Sequence, residues 1–236
     1  MISSEALRVA KEKWPSPPSA ELQRTCFRVE DRLNQSGEGS VLFIGLNSLL
    51  FQKIASFSHS WVSHTGVAMK EEGSWVIYES RAPRGLSHPT PLCAFIARAI
   101  DHRVALAQPR VPLTSEQVEL LRTTLKQKLP QKYDFSFNLE NPQGQFCSKL
   151  VYESFQELGL NFGEPLTLKE LVEENGRSKG EVREMACFFK AWFQVLHPFN
   201  GVAWENLTLP PADLYKEAAG ALQNPQVPFV LVSEGL

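Results

Sequence analysis

Two β-rich runs, Trp61–Met69 and Ser74–Glu79, flank the short charged segment Lys70–Gly73. That is the signature of a β-hairpin, and it commits this part of the chain to antiparallel pairing. Side chains alternate along a strand, so Val62, His64, Gly66 and Ala68 share one face, while Trp75, Ile77 and Glu79 share a face of the second strand. With Met69 opposite Ser74 across a four-residue turn, His64 lies opposite Glu79. A two-residue turn at Glu71-Glu72 gives the same register, and a three-residue turn puts Ser80 there instead. Directly opposed residues have Cβ atoms about 4.5–5.5 Å apart. A carboxylate so placed takes the N–H of one imidazole nitrogen and leaves the other free to act as a base. Gly66, two residues beyond His64 on the same face, leaves room beside the ring for a partner.

Around the hairpin the pattern mixes helices and strands. Residues 3–33 read as two short helices broken at Pro15–Pro18, with Leu22, Cys26, Val29 and Leu33 at helical spacing on the second. A strand is predicted over 41–44, helices over 49–57 and 89–100, and a strand over 104–107. The helix over 114–129 opens on a capping box, with Gln117 three places after Thr114. After a strand over 133–137, a helix runs from about Phe146 to Leu158 and stops at Gly159, a C′ glycine. Further helices are expected near 167–174, 181–195 and 211–221, with a final strand over 228–232. Strands and helices interleave without regular β-α-β alternation, which predicts an α+β fold.

At 236 residues the chain is long enough to bury a substantial core, and 43% apolar with 21% charged residues excludes wholesale disorder. With 24 basic against 26 acidic side chains it lacks the dense basic face that coating nucleic acid requires, so no nucleic-acid partner is expected. Polar residues interrupt the least charged stretch, Gly39–Met69, and no transmembrane segment is read. The N-terminus lacks the continuous apolar run of a signal peptide, which makes a reducing cytoplasm the expected location. Four scattered cysteines with no Cys-x-x-Cys pair argue against a thiolate metal cluster, and neither metal nor cofactor is expected.

Among those cysteines, Cys147 stands out. It falls in the first turn of the helix beginning near Phe146, on the apolar stripe of Leu150, Val151, Ser154, Phe155 and Leu158, behind the turn Asn141-Pro142-Gln143-Gly144. A thiol at a helix N-terminus meets the positive end of the dipole and unpaired N–H groups, which favour the thiolate and can hold an oxyanion. Cysteines are nevertheless most often structural, and Cys26, Cys93 and Cys187 read that way, as do His59, His88, His102 and His197.

The segments SHTGVAM (63–69), VIYESRAPRGL (76–86), KYDFSF (132–137) and QFCSKLVYESF (145–155) resemble, in their order, the YiiX/YebB-like family. Its members are circularly permuted papain-like proteins related to the NlpC-type amidases, and residues 188–215 resemble the YebB branch in particular. The resemblance covers roughly 39–236, which leaves 1–38 as an N-terminal helical extension. It implies a permuted papain-like fold, with an antiparallel sheet packed against the cysteine helix and the histidine strand preceding that helix. It also implies a Cys–His–polar triad falling on Cys147, His64 and Glu79. Where the family commonly has Gly-Asp before its first core strand, this chain has Gly39-Ser40.

The expected activity is thiol-dependent hydrolysis of an amide or ester, in a small-molecule, peptide or lipid acyl substrate. Gln145 is a guess for the second oxyanion donor, against its plainer reading as a solvated loop residue. The aromatic stretch Met185–Trp204 motivates an alternative, a lipid-directed acyltransferase or lipase with the same triad. A third reading is a non-enzymatic binding module with an inert triad. Oligomeric state is not legible.

Overall fold

The computed structural model describes residues 18–57, 60–81, 88–135, 137–160 and 229–234. The helices expected before Pro15 and near 167–174, 181–195 and 211–221 lie outside these residues, as does the aromatic stretch 185–204. Five helices are described: α1 (Ala20–Ser36), α2 (Leu49–Phe57), α3 (Leu92–Ile96), α4 (Ser115–Lys128) and α5 (Cys147–Gln156). The strands are β1 (Ser40–Leu46), β2 (His64–Glu71), β3 (Ser74–Tyr78), β4 (Thr90–Pro91), β5 (Ala99–Pro109), β6 (Lys132–Tyr133), β7 (Gly144–Gln145) and β8 (Phe229–Glu234). Six of them form one sheet in the order β4-β3-β2-β1-β5-β8, every neighbouring pair antiparallel, and β6 and β7 pair in parallel. The α+β expectation and its antiparallel sheet hold.

Strand alternation builds a core on each face of this sheet. Val41 and Phe43 of β1 point to one side, with Val67, Met69, Ala105 and Ala107, and meet Leu121 and Leu125 of α4 and Leu150, Val151 and Phe155 of α5. Leu42 and Ile44 point to the other, with Ala68, Ile77, Val104 and Leu106, against Leu22, Cys26, Val29 and Leu33 of α1 and Phe95 and Ile96 of α3. Covered on both faces, β1 reads as a near-continuous apolar run, whereas a strand wetted on one face would alternate. The helical stripe read on α1 is thus the face it buries.

Local chemistry sets the element ends. Thr114 accepts from the Gln117 backbone N–H and the Gln117 side chain accepts from the Thr114 N–H, so the expected capping box closes α4. Ser19 caps α1 by accepting from the Leu22 N–H. The helix expected over 89–100 is cut short. Pro89 and Pro91 lack the N–H a helix interior needs, so Thr90–Pro91 pairs as an edge strand, α3 makes little more than one turn, and β5 begins at Ala99. The strand expected over 133–137 shrinks to Lys132–Tyr133.

Cys26 and Cys93 sit among apolar residues, as expected, but they also pair as a disulfide between α1 and α3, with Cα atoms 5.5 Å apart. Cys147 is the free cysteine among the described residues. None of the described helices is long and apolar enough to cross a membrane.

Candidate active site

The hairpin forms with a different register from the one expected. Glu71 pairs with Ser74 and Val67 with Tyr78, around a two-residue turn at Glu72-Gly73. Both turn residues have positive φ (50° and 79°), as a type I′ turn requires, and Gly73 meets that demand without strain. This ladder, continued past Tyr78, puts Glu79 across from Gly66, one position along from His64 on the same face. The two side chains therefore meet diagonally, a separation that long side chains bridge. They do meet: His64 Nε2 and Glu79 Oε2 are 2.5 Å apart. Gly66 makes this possible. A Cβ there would lie 2.5 Å from Ile77 Cγ2, 2.9 Å from the Tyr78 carbonyl oxygen and 3.3 Å from Glu79 Cβ.

His64 opens β2 beside Ile44 of β1 and is 1% exposed, its ring packed against Phe51 and Phe95 at centroid distances of 6.0 and 5.8 Å. Glu79 is wholly buried, and its oxygens are taken by four contacts. Thr90 Oγ1 donates to Oε1, the Arg98 guanidinium reaches both oxygens at 2.6 Å, and His64 occupies Oε2. Burial on its own pushes the Glu79 carboxyl up. The hydrogen bond and charge of His64, with those of Arg98, overcome it and hold the group at about 2. Burial likewise pushes His64 down, and the neighbouring Cys147 and Glu79 together raise it to about 9.

Cys147 is the first residue of α5, 2% exposed, and α5 packs on β2. The first intrahelical bond runs from the Leu150 N–H to the Phe146 carbonyl, so the N–H groups of Cys147, Ser148 and Lys149 have no carbonyl within the helix to receive them. His64 Nδ1, the nitrogen not used by Glu79, is buried without a hydrogen-bond partner among the described residues. Catalytic contacts in a substrate-free site are often loosely aligned. The three residues singled out from the sequence are therefore brought to one place.

The approach to the sulfur is tied down by backbone and by a buried cation. Ser80 Oγ donates to the Gln145 carbonyl, and the Asp134 N–H donates to the same oxygen, which joins the end of the hairpin and the β6 segment to the residues before Cys147. Lys149 donates to the carbonyls of Asn141 (2.5 Å) and Gly144 (3.1 Å), so its buried ammonium fastens the turn that presents Cys147. Burial lowers its affinity for the proton, opposed chiefly by Glu153.

Gln145 is not a solvated loop residue, and one of its two amide N–H donors is already committed. It is 1% exposed, its amide nitrogen donates to Glu153 and its oxygen accepts from the Phe146 N–H. The reading of single residues missed Tyr133, Thr90 and Arg98. The Tyr133 hydroxyl is buried with no hydrogen-bond partner among the described residues. Burial first, then the adjacent Cys147, push it well above its usual value. The signal for it lay in KYDFSF, noted only as part of a likeness. Among the described residues no group of three or more His, Cys, Asp and Glu side chains is placed to hold a metal ion.

Comparison with known proteins bears on the fold and the family. Among solved structures, the chain is similar to the crystal structure of YiiX from Escherichia coli O157:H7, described as a metalloprotein. The two share 25% identity and a TM-score of 0.65, over 85% of this chain and 98% of that one. No curated protein matches. Residues 35–220 match the permuted papain-like amidases of the YaeF/YiiX, C92 family, and the chain belongs to that family.

Proposed function

We propose that the protein is a cysteine hydrolase that cleaves an amide or ester through an acyl-thioester on Cys147. The observation that carries this reading is the asymmetry of His64: its Nε2 is braced by a buried carboxylate, while its Nδ1 has no hydrogen-bond partner among the described residues and Cys147 lies close enough to raise its pKa. His64 Nδ1 accepts the thiol proton, the thiolate attacks the carbonyl carbon, and the tetrahedral oxyanion develops at the N-terminus of α5. The Cys147 N–H is one donor to it, and the buried Tyr133 hydroxyl, which has no hydrogen-bond partner among the described residues, is the second. The imidazolium then protonates the leaving amine or alcohol, which departs as the carbonyl re-forms. The neutral ring draws a proton from water, and hydroxide addition to the thioester releases the acid and regenerates the thiol. Glu79 keeps Nε2 protonated and the ring oriented throughout.

Amide substrates come first in this reading, because the family is one of amidases. Residues 1–38 are carried as an N-terminal extension docked through α1, and 39–236 as the hydrolase domain. Cytoplasmic residence, expected from the N-terminal sequence, stands against the Cys26–Cys93 disulfide. Native protein isolated from cells with Cys26 and Cys93 as free thiols supports it, and a disulfide there argues for an oxidising compartment.

The test is labelling by an activated ester or a thiol-directed acylating probe, followed by intact mass. The wild type gains one adduct on Cys147, and Cys147→Ala gains none while keeping its melting temperature. Equal labelling of the two proteins removes Cys147 from the scheme.

A further inference from the structure

We propose that Arg98 and Thr90 act as a clamp that holds Glu79 as a carboxylate, with Oε2 turned toward His64, making Arg98 a positioning residue for the reaction. The inference rests on the hydrolase reading above. A carboxylate offers about four lone-pair sites. In Glu79 these meet Thr90 Oγ1 and Arg98 Nη2 at Oε1 (2.5 and 2.6 Å), and His64 Nε2 and Arg98 Nη2 at Oε2 (2.5 and 2.6 Å). Thus one guanidinium nitrogen bridges both oxygens, and the side chain has no site left through which to rotate away.

The local chain is shaped to deliver these two donors. β4 is only two residues long, yet it pairs Thr90 with Ile77 of β3, two residues before Glu79. α3 ends within about one turn, and Arg98 follows with its N–H on the Phe95 carbonyl. The guanidinium lies 5.3 Å from the centre of the Phe95 ring, and that ring packs against His64. Arg98 is 22% exposed in its side chain while Glu79 is fully buried, so the cation brings neutralising charge from the surface to an anion that has none of its own solvent.

The groups facing Glu79 are His64 from β2, Thr90 from β4 and Arg98 beyond α3, with Cys147 of α5 and Tyr133 of β6 on the far side of the ring. Of these, Arg98 is the cation present in every protonation state of the Cys147–His64 pair. Without it, the buried carboxyl takes up a proton at higher pH, loses its hold on the Nε2 hydrogen, and the thiolate loses its imidazolium partner on the acid side. His64 and Glu79 remain in place, so the alkaline side of the profile is not lowered.

The experiment is the rate of Cys147 alkylation by iodoacetamide across pH, in full-length wild type, Arg98→Met, Arg98→Lys, Thr90→Val and Glu79→Gln, each checked for a native far-UV spectrum. The ratio of the rate at pH 5 to that at pH 7.5 is expected to fall about tenfold in Arg98→Met and to recover in Arg98→Lys. It falls by a smaller factor in Thr90→Val. In Arg98→Met the alkaline limb stays at or above its wild-type position, whereas in Glu79→Gln it moves down. A purely structural Arg98 would lower the melting temperature and leave the ratio unchanged, and that result in folded Arg98→Met overturns the clamp. Should Arg98→Met not fold, Thr90→Val decides alone, and a wild-type ratio there overturns it. A wild type that alkylates as an ordinary thiol, with little reaction below about pH 8, takes down the hydrolase reading and the clamp together. A wild-type acid plateau with an unmoved ratio in the variants removes only the clamp.

Discussion

On the Nε2 side of the His64 ring both Glu79 oxygens are filled and the donors come from β2, β4 and the turn after α3. On the Nδ1 side two buried polar atoms, Nδ1 itself and the Tyr133 hydroxyl, have no partner among the described residues. Buried polar groups are normally paired, since each orphan costs about 1–3 kcal/mol. The Glu79 carboxylate is therefore saturated in the substrate-free fold, although Arg98 Nε beside it is a buried atom without a partner among the described residues, whereas the half around the sulfur keeps hydrogen-bonding capacity unspent. The difference separates two jobs: holding the base in one tautomer and orientation, and receiving a reacting group.

That contrast can be broken from its carboxylate side first. Glu79→Gln keeps the shape but leaves the imidazole tautomer unsupported, and turnover should fall about 10³–10⁴-fold, with binding of an uncleaved analogue within a few-fold of wild type. The pH profile should move with it. Because His64 is held at about 9, its imidazolium survives to that pH and activity declines as pH rises through about 9. Glu79 is one of the groups raising it, so the decline in Glu79→Gln sets in at lower pH. An unmoved alkaline limb would mean that the pair does not couple.

From the open side the expected sign for stability is reversed. Tyr133→Phe removes a buried hydroxyl that has no hydrogen-bond partner among the described residues, so the melting temperature should hold or rise, while kcat falls about 100-fold if the hydroxyl receives the oxyanion. A destabilised variant with full activity would assign Tyr133 to the fold alone. Gly66→Ala sharpens the boundary between the halves. Its methyl would collide with Ile77 and the Tyr78 carbonyl, costing about 1–3 kcal/mol by thermal denaturation and displacing Glu79 from His64, with turnover reduced accordingly. The smallest effect lies in α4, outside the site. Thr114→Ala removes the capping box and should cost about 1 kcal/mol in a denaturant melt, with turnover per folded molecule unchanged.

How much of this was legible depended on whether the signal was local. The capping box at Thr114 and Gln117, the apolar stripe of α1 and the Cys147 position at a helix start are written within a few residues of chain, and they were readable. The hairpin was readable too, but its turn is centred one residue later than expected. The resulting shift moves Glu79 by two positions, which preserves the face and changes an opposed pair into a diagonal one. Face, the property that alternation encodes, survived; contact, which depends on the turn, did not, and Gly66 supplied the space that restored it. Arg98 and Thr90 were invisible because their roles exist only once β4 lies against β3, and the helical look of 89–100 concealed the prolines' effect. The Cys26–Cys93 pairing joins residues 67 apart in sequence and needs α1 laid against α3 before it can be seen. Gln145 was misread for a related reason: its neighbours in sequence are loop-like, yet its amide is enclosed by Glu153 one helix turn or more beyond Cys147.

The central claim is that Cys147 and Glu79 act on the two nitrogens of one imidazole. Titration of His64 by NMR, in wild type and in Cys147→Ala, measures it most directly. The account predicts a ring that titrates near 9 in the wild type and lower once the sulfur is gone, with Nε2 protonated in both proteins. A His64 that titrates at the same pH in the two proteins, near the ordinary value of 6.5, would contradict it.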